Sequence, residues 1–264
     1  MVHLIVENGR TFVSDYEYSN LNDLETVVLP ESIEKVGKHA FYNCRKLKKI
    51  SLYGELFQIE DGAFKNCESL SEVEIFAPKK NTACMKNIVA DLTHPITFLI
   101  HYPNGDARIL IPGYNYDYEI DINSRVFHEV VYGSGDAYQR CVGKAELSFG
   151  EYDFLFSVAK REETEKTVFE LINYRLEYPY KLEEEDKRKY ISYLEEHSKE
   201  YICYLIENHD QKGLRMASEL ELMDQENMDF YVEKANETGD IETTAFFMEY
   251  GKRYLEDIDQ SFEF

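Results

Sequence analysis

The sequence predicts an α+β, multi-domain chain: a short repeat solenoid, a small β-rich connector and a helical-hairpin domain of α-solenoid character. Three observations predict it. Two stretches, LETVVLPESIEKVGKHAFYNC at 24–44 and LKKISLYGELFQIEDGAFKNC at 47–67, repeat at a spacing of 23 residues. Apolar runs bounded by turn residues occupy 96–122, and from Tyr152 onward the apolar spacing becomes i, i+3, i+4. The expected divisions are therefore residues 1–80, 81–150 and 151–264.

The period is the strongest of the three. Leu24, Leu47 and Leu70 recur at this spacing, as do Val27/Ile50/Val73, Val36/Ile59, Ala40/Ala63, Phe41/Phe64 and Cys44/Cys67. A fixed period of this length marks a solenoid whose turns stack to share one core. Alternation within each strand sends Val27, Ile50 and Val73 inward, so their neighbours point outward. Two exposed ladders follow, Thr26/Lys49/Glu72 and Val28/Ser51/Glu74. Asn43 and Asn66 are expected to bond backbone groups at the turns. Ahead of the repeats, the alternation in residues 3–14 around Asn8-Gly9 predicts a hairpin that caps the solenoid.

These positions resemble the BspA-type leucine-rich repeat of bacterial surface-antigen-like proteins, LxxIxLPxSIxxIGxxAFxxCxxL. The first unit matches at Leu24, Val27, Leu29, Pro30, Ser32, Ile33, Val36, Gly37, Ala40, Phe41 and Cys44. The second departs where Tyr53-Gly54-Glu55-Leu56 replaces Pro-x-Ser-Ile and Glu60 replaces the glycine. The third, from Leu70, loses the pattern after Phe76-Ala77-Pro78. The resemblance covers about residues 20–80. It implies a short leucine-rich-repeat solenoid with a smaller binding surface than most relatives have.

In the connector, Pro103-Asn104-Gly105-Asp106 between two apolar runs predicts a hairpin. Tyr118-Glu119-Ile120-Asp121-Ile122 predicts a further strand, and Gly133-Ser134-Gly135-Asp136 a loop. The connector is read as a cover for the open end of the solenoid. Polar breaks at 161–163, 178–180, 208–210 and 238–240 then separate helices that pair antiparallel. Ala235 to Gly251 resembles the ankyrin pattern AxxxGDxExxxxLLLxxG, which implies that Gly239 ends one helix and Gly251 the next.

Charge narrows the function. The net charge is −22, with 15 Lys/Arg against 21 Asp/Glu in residues 1–150 and 14 against 30 in residues 151–264. Such a field repels phosphate backbones and anionic bilayers, so no nucleic-acid partner is expected. No apolar run is long enough to insert in a membrane. Glu7 and Asn8 interrupt the N-terminus too early for a signal peptide, so a cytoplasmic chain is expected, a removed leader being the alternative. Five widely spaced cysteines without a CxxC pair fit a reducing compartment.

Chemistry-bearing residues form no catalytic or metal pattern. Cys84, His94 and His101 match no zinc spacing. Cys141 with His128 lacks a nucleophile signature. Glu183-Glu184-Glu185-Asp186 followed by Lys187-Arg188-Lys189 reads as a helix start, where acids precede bases. Gly133-x-Gly135 is a turn. No cofactor and no metal are expected.

The resulting expectation is a non-catalytic interaction or scaffold protein with a protein partner of unknown identity. Its contacts would be Thr26, Val28, Lys49, Ser51, Glu72 and Glu74, with Tyr114, Tyr116 and Tyr118 as an aromatic second patch. The alternatives are an acidic mimic that occupies a basic, nucleic-acid-binding protein, and an enzyme with an unrecognised site in 81–150.

Overall fold

The computed structural model describes residues 2–121, 126–143 and 145–261, and the side chains among them except 118–130, 225 and 252–261. It divides into two compact units, Met1–Glu183 and Glu184–Phe264. Among the described residues no helix is long and apolar enough to cross a membrane.

The first unit is built on two parallel ladders. Strands β1 (Val2–Ile5), β3 (Leu24–Val28), β5 (Lys49–Tyr53) and β7 (Glu72–Phe76) lie side by side, and the shorter β2 (Phe12–Val13), β4 (Lys35–Val36) and β6 (Gln58–Ile59) form a second ladder. Thr26 pairs with Lys49 and Lys49 with Glu72, so the 23-residue period is the sheet register itself. About four turns of β-solenoid result. Val27, Ile50, Val73 and Phe98 form one fully buried column, and Val13, Val36 and Ile59 another. Each such side chain stabilises the fold by roughly 1.5–3 kcal/mol on burial. Tyr18, Phe41 and Phe64 stack with ring centroids 5.5 Å apart at both steps. The buried thiols of Cys44 and Cys67 donate to the carbonyls of Tyr18 and Phe41.

Two expectations are corrected here. Residues 3–14 form no hairpin, because β1 pairs in parallel with β3 while β2 pairs in parallel with β4 in the other sheet. A turn does lie between them (Arg10 N donates to the Glu7 carbonyl at 3.3 Å), but it joins two edges of one solenoid coil. Asn43 and Asn66 serve by their backbone conformation: with Asn20 they sit at φ of 60–62°, a region asparagine tolerates better than most residues. Their side-chain amides donate to the Asn20 carbonyl oxygen and the Tyr42 hydroxyl, not to backbone.

The first coil is closed by charge. Arg10 forks onto both carboxylate oxygens of Glu17, which also accepts the Ser14 amide at 2.8 Å. The Arg10 contact, aided by that amide, holds the Glu17 carboxyl down at about 2. A depressed carboxyl stabilises the fold above its unfolded value and loses that contribution as pH falls through the folded one. The wild type is therefore expected to lose stability between pH 4.5 and about 2, and Glu17→Gln to flatten that part of an acid-unfolding curve. An unchanged acid limb in the variant would contradict the assignment.

After β7 the chain leaves the repeat through α1 (Cys84–Ala90), which packs on β6. The departure at Gly54 has its cause here: a Cβ on that residue would overlap the carbonyl oxygen of Asn81. Gly62 and Phe64 would give their amides to the next coil, as His39 and Phe41 do to Asp61 and Ala63. Instead the Asp91 carboxylate accepts both, at 3.2 and 2.9 Å. Asn87 Nδ2 donates to the Ile59 carbonyl at 2.8 Å and His94 Nε2 to that of Leu70 at 2.7 Å.

The expected hairpin at 103–106 is present as β8 (Ile96–Tyr102) and β9 (Gly105–Ile111), closed by Tyr102 opposite Gly105. β8 also pairs in parallel with β7, Glu72 opposite Thr97, and so continues the repeat ladder. The edge of β9 is satisfied by Tyr152, whose hydroxyl donates to the Leu110 carbonyl at 2.7 Å and accepts its amide at 3.1 Å. A two-stranded sheet follows, β10 (Asn115–Asp121) with β11 (Val126–Tyr132). The loop expected at 133–136 is a bend at 133–134 that leads directly into α2 (Gly135–Gln139). Next come α3 (Phe149–Phe154), α4 (Phe156–Glu162) and α5 (Glu165–Glu177). Asp153 of α3 and Arg175 of α5 form a buried, two-toothed ion pair at 2.7 and 2.8 Å.

The second unit is helical: α6 (Glu184–Glu196), α7 (Ser198–Glu207), α8 (Gln211–Glu219), α9 (Met228–Thr238) and α10 (Ile241–Ser261). α7 packs on α6, α8 and α9, and α9 on α10. Tyr201, Ile202, Leu205, Leu214, Tyr231 and Phe247 are fully buried between them. Gly239 ends α9 in the left-handed region, φ 70°, as expected. Gly251 does not end a helix: α10 continues ten residues beyond it to Ser261, a correction to the ankyrin-like reading. A glycine inside a helix costs only about 1 kcal/mol against alanine, so it need not break one.

Candidate functional site

The outward side chains of the long sheet form one continuous face. His3, Thr26, Lys49, Glu72 and Thr97 are register partners in one row, and Ile5, Val28, Ser51, Glu74 and Leu99 in the next. Thr26, Val28, Lys49, Ser51, Glu72 and Glu74 are thus brought together, as the period requires. Parallel pairing and alternation place them there: their immediate neighbours Val27, Ile50 and Val73 are in the core.

Its polar groups are already engaged with one another. Lys49 Nζ lies 2.7 Å from Glu72 and 3.3 Å from Glu74, and the Ser51 hydroxyl donates to Glu74 at 2.7 Å. His101 places Nε2 3.2 Å from Glu74 and Nδ1 3.0 Å from Asp106, while its ring stacks on Phe76. Burial pushes Glu74 up, but Ser51, His101 and Lys49 together outweigh it and hold the carboxyl below its usual value. Contact with Glu72 raises Lys49. The network fixes a sign pattern on the sheet, with the apolar Ile5 (73 % exposed) and Val28 (39 %) standing free beside it.

At the other end the face is walled. Arg108 of β9 lies 4.0 Å over the Tyr174 ring of α5, and the Tyr174 hydroxyl donates to Glu170 at 2.6 Å. The accessible part is therefore the stretch from β1 to β7.

Tyr116 and Tyr118 lie on the separate sheet of β10 and β11, and Tyr114 just ahead of it. Tyr114 is buried, whereas Tyr116 is exposed, the two rings meeting edge-on at 5.3 Å. A shallow cleft of about 390 Å³ between Thr93, His94, Pro95, Tyr114 and Tyr132 adjoins them. The side chain of Tyr118 lies outside the described residues, as does that of His128.

The residues weighed for metal or thiol chemistry are not assembled. His94 is bound to the Leu70 carbonyl and His101 to two carboxylates, whereas Cys84 is buried in α1. Among the described residues no group of three or more His, Cys, Asp or Glu is placed to hold a metal ion. Burial pushes the thiols of Cys67, Cys84 and Cys141 up to about 12, far from thiolate at neutral pH.

Sequence reasoning placed residues 3–14 in a capping hairpin and so missed the pairing of β1 with β3, and with it His3 and Ile5, although the same period reaches them: Leu4, Val6 and Val13 stand 23 residues before Val27, Leu29 and Val36. It also missed Tyr53, Phe76 and His101, neighbours across the same face.

No curated protein and no solved structure matches the chain. Residues 3–94 match, in six copies, the family model of the BspA type leucine rich repeat region, a kind of repeat that generally mediates protein–protein interaction.

Proposed function

We propose that this protein binds a protein partner through the open strand face of its solenoid and performs no catalysis there. One observation carries the reading: Thr26, Val28, Lys49, Ser51, Glu72 and Glu74 form a contiguous, register-locked face with exposed Ile5 and Val28 beside an ordered charge network. Repeat stacks present such surfaces rigidly, so a partner meets a preformed pattern and little ordering entropy is lost on binding. Apolar Ile5 and Val28 would supply contact area, and the Lys49–Glu72–Glu74 pattern would set register and exclude mismatched partners. Tyr116 and Tyr118 are a second contact in this reading, with the buried Tyr114 supporting Tyr116 from behind, since tyrosine brings large amphipathic area at low entropic cost.

The test is Lys49→Glu/Glu72→Lys/Glu74→Lys. It inverts the sign pattern while leaving Lys–Glu pairs across the strands, so folding is expected to survive. In affinity capture from source-cell extract, a protein retained by wild type is expected to fall at least about ten-fold with the inverted face. Equal capture by both would remove the strand face as the binding surface.

A further inference from the structure

The long sheet ends differently at its two sides. Its last strand, β9, is finished by the chain itself: Tyr152 takes the Leu110 amide and carbonyl, and Ala107 bridges to Pro179. Its first strand, β1, pairs with β3, and among the described residues no strand lies along its other side. Val6 N donates to the Val28 carbonyl at 3.0 Å, as Leu29 N does to that of Ser51 at 2.9 Å. Leu4 and Val6 thus turn their backbone groups toward β3. By alternation the amides and carbonyls of His3 and Ile5 face the open side.

The core rows come to the surface in the same coil. Leu4 is half-buried, whereas Val27 and Ile50, which follow it in its row, are fully buried. Tyr18 is half-buried ahead of the buried Phe41 and Phe64, and Leu21 is 42 % exposed where Cys44 and Cys67 are fully buried. In one sector the coil supplies its own end. Arg10 and Glu17, paired with each other, stand 23 residues before the buried Ile33 and Ala40. No charged pair takes the place of Leu4, and the exposed Ile5 follows it on the outer face. A strand edge with apolar residues on both faces is completed by another strand. Its main chain would meet His3 and Ile5 while successive side chains cover Leu4 and Ile5. A second copy of the chain fits less well, because two molecules of net charge −22 repel.

We infer that the open edge of β1 is a docking site for an extended apolar segment of a protein partner, added to the sheet as one more strand. The contact shares Ile5 with the strand face and to that extent rests on the same reading, but it needs none of the Lys49–Glu72–Glu74 network. Lys49→Glu/Glu72→Lys/Glu74→Lys is therefore expected to leave it unchanged, so loss of one contact does not imply loss of the other.

The test uses the full chain and a fluorescein-labelled peptide LETVVLP, the sequence of residues 24–30, read by fluorescence anisotropy. The wild type is expected to bind it, and Ile5→Glu to weaken binding about ten-fold. Phe57→Glu makes the same kind of change at a similarly exposed residue between β5 and β6 and is expected to leave affinity within about two-fold. An added strand offers only one of its edges to β1. Methylating the peptide amides of Glu25 and Val27, or those of Thr26 and Val28, is thus expected to abolish binding in one case and spare it in the other. No binding by wild type, or equal effects of the two substitutions or of the two methylations, would overturn the site. A wild-type dimer in sedimentation that Ile5→Glu dissociates would give the edge to a second copy and overturn it as well. Both substituted residues are exposed, so folding is expected to survive.

Discussion

Arg175→Met is expected to lower the stability of the first unit by about 3–5 kcal/mol, the cost of leaving a buried charge without its partner. Arg175 and Asp153 are both essentially inaccessible, with side-chain exposures of 0 % and 1 %. Beyond the two-toothed bridge, Arg175 Nη1 donates to the Tyr180 carbonyl at 3.2 Å and the guanidinium lies 5.1 Å over Phe149. One side chain thus ties α3, α5 and the chain that leaves α5. Losing it takes the opposite charge away from Asp153 in a place water does not reach. Asp153→Leu/Arg175→Met removes both charges and is expected to recover part of the loss, since apolar replacements of a buried pair are often tolerated. Hydrogen exchange read segment by segment is the suitable measure, because two compact units need not unfold together. If α3 and α5 exchange in the single variant at wild-type rates, the pair does not hold them.

Asp91→Ala is expected to cost about 2–6 kcal/mol, because a buried amide left unpaired costs about 1–3 kcal/mol and Asp91 serves two. Its carboxylate stands where the next coil would run and stops the ladder at Gly62 and Phe64. Burial raises the Asp91 carboxyl and the two amides only partly offset it. A raised carboxyl contributes most below its unfolded value and less as pH rises through the folded one, the reverse of Glu17. Asp91→Asn removes the half-buried charge and keeps one carbonyl acceptor, so its loss is expected to be smaller than that of alanine. Exchange of the Gly62 and Phe64 amides reports this directly. Protection unchanged in Asp91→Ala would show that another group closes the solenoid.

Much of the solenoid was legible because stacking converts sequence period into spatial register. Leu24, Leu47 and Leu70 recur because each occupies the same place in its coil, and the outward ladders follow from alternation alone. Where that logic failed, a local signal outweighed a distant one. Asn8-Gly9 reads as a hairpin turn, and only the weaker recurrence of Leu4, Val6 and Val13 reveals a coil whose strands join different sheets. Gly251 reads as a helix stop, yet α10 carries it in its interior. The groups with the largest expected effects carry no local mark. Asp91 acts on residues 27 and 29 positions earlier, and Arg175 on one 22 positions earlier, outside any repeat. The rows of the candidate face were legible, while its internal pairing and the wall at Arg108 and Tyr174 depend on elements brought in from outside the period.

The most direct test of the strand face is site-specific photo-crosslinking. A benzophenone amino acid placed singly at Val28 and Ser51 samples the face, and the same residue at Lys38 and Lys65, exposed on the turn side, serves as control. A protein adduct formed at Val28 and Ser51 and absent at Lys38 and Lys65 is the predicted result. Adducts confined to Lys38 and Lys65, or equal at all four positions, would contradict it.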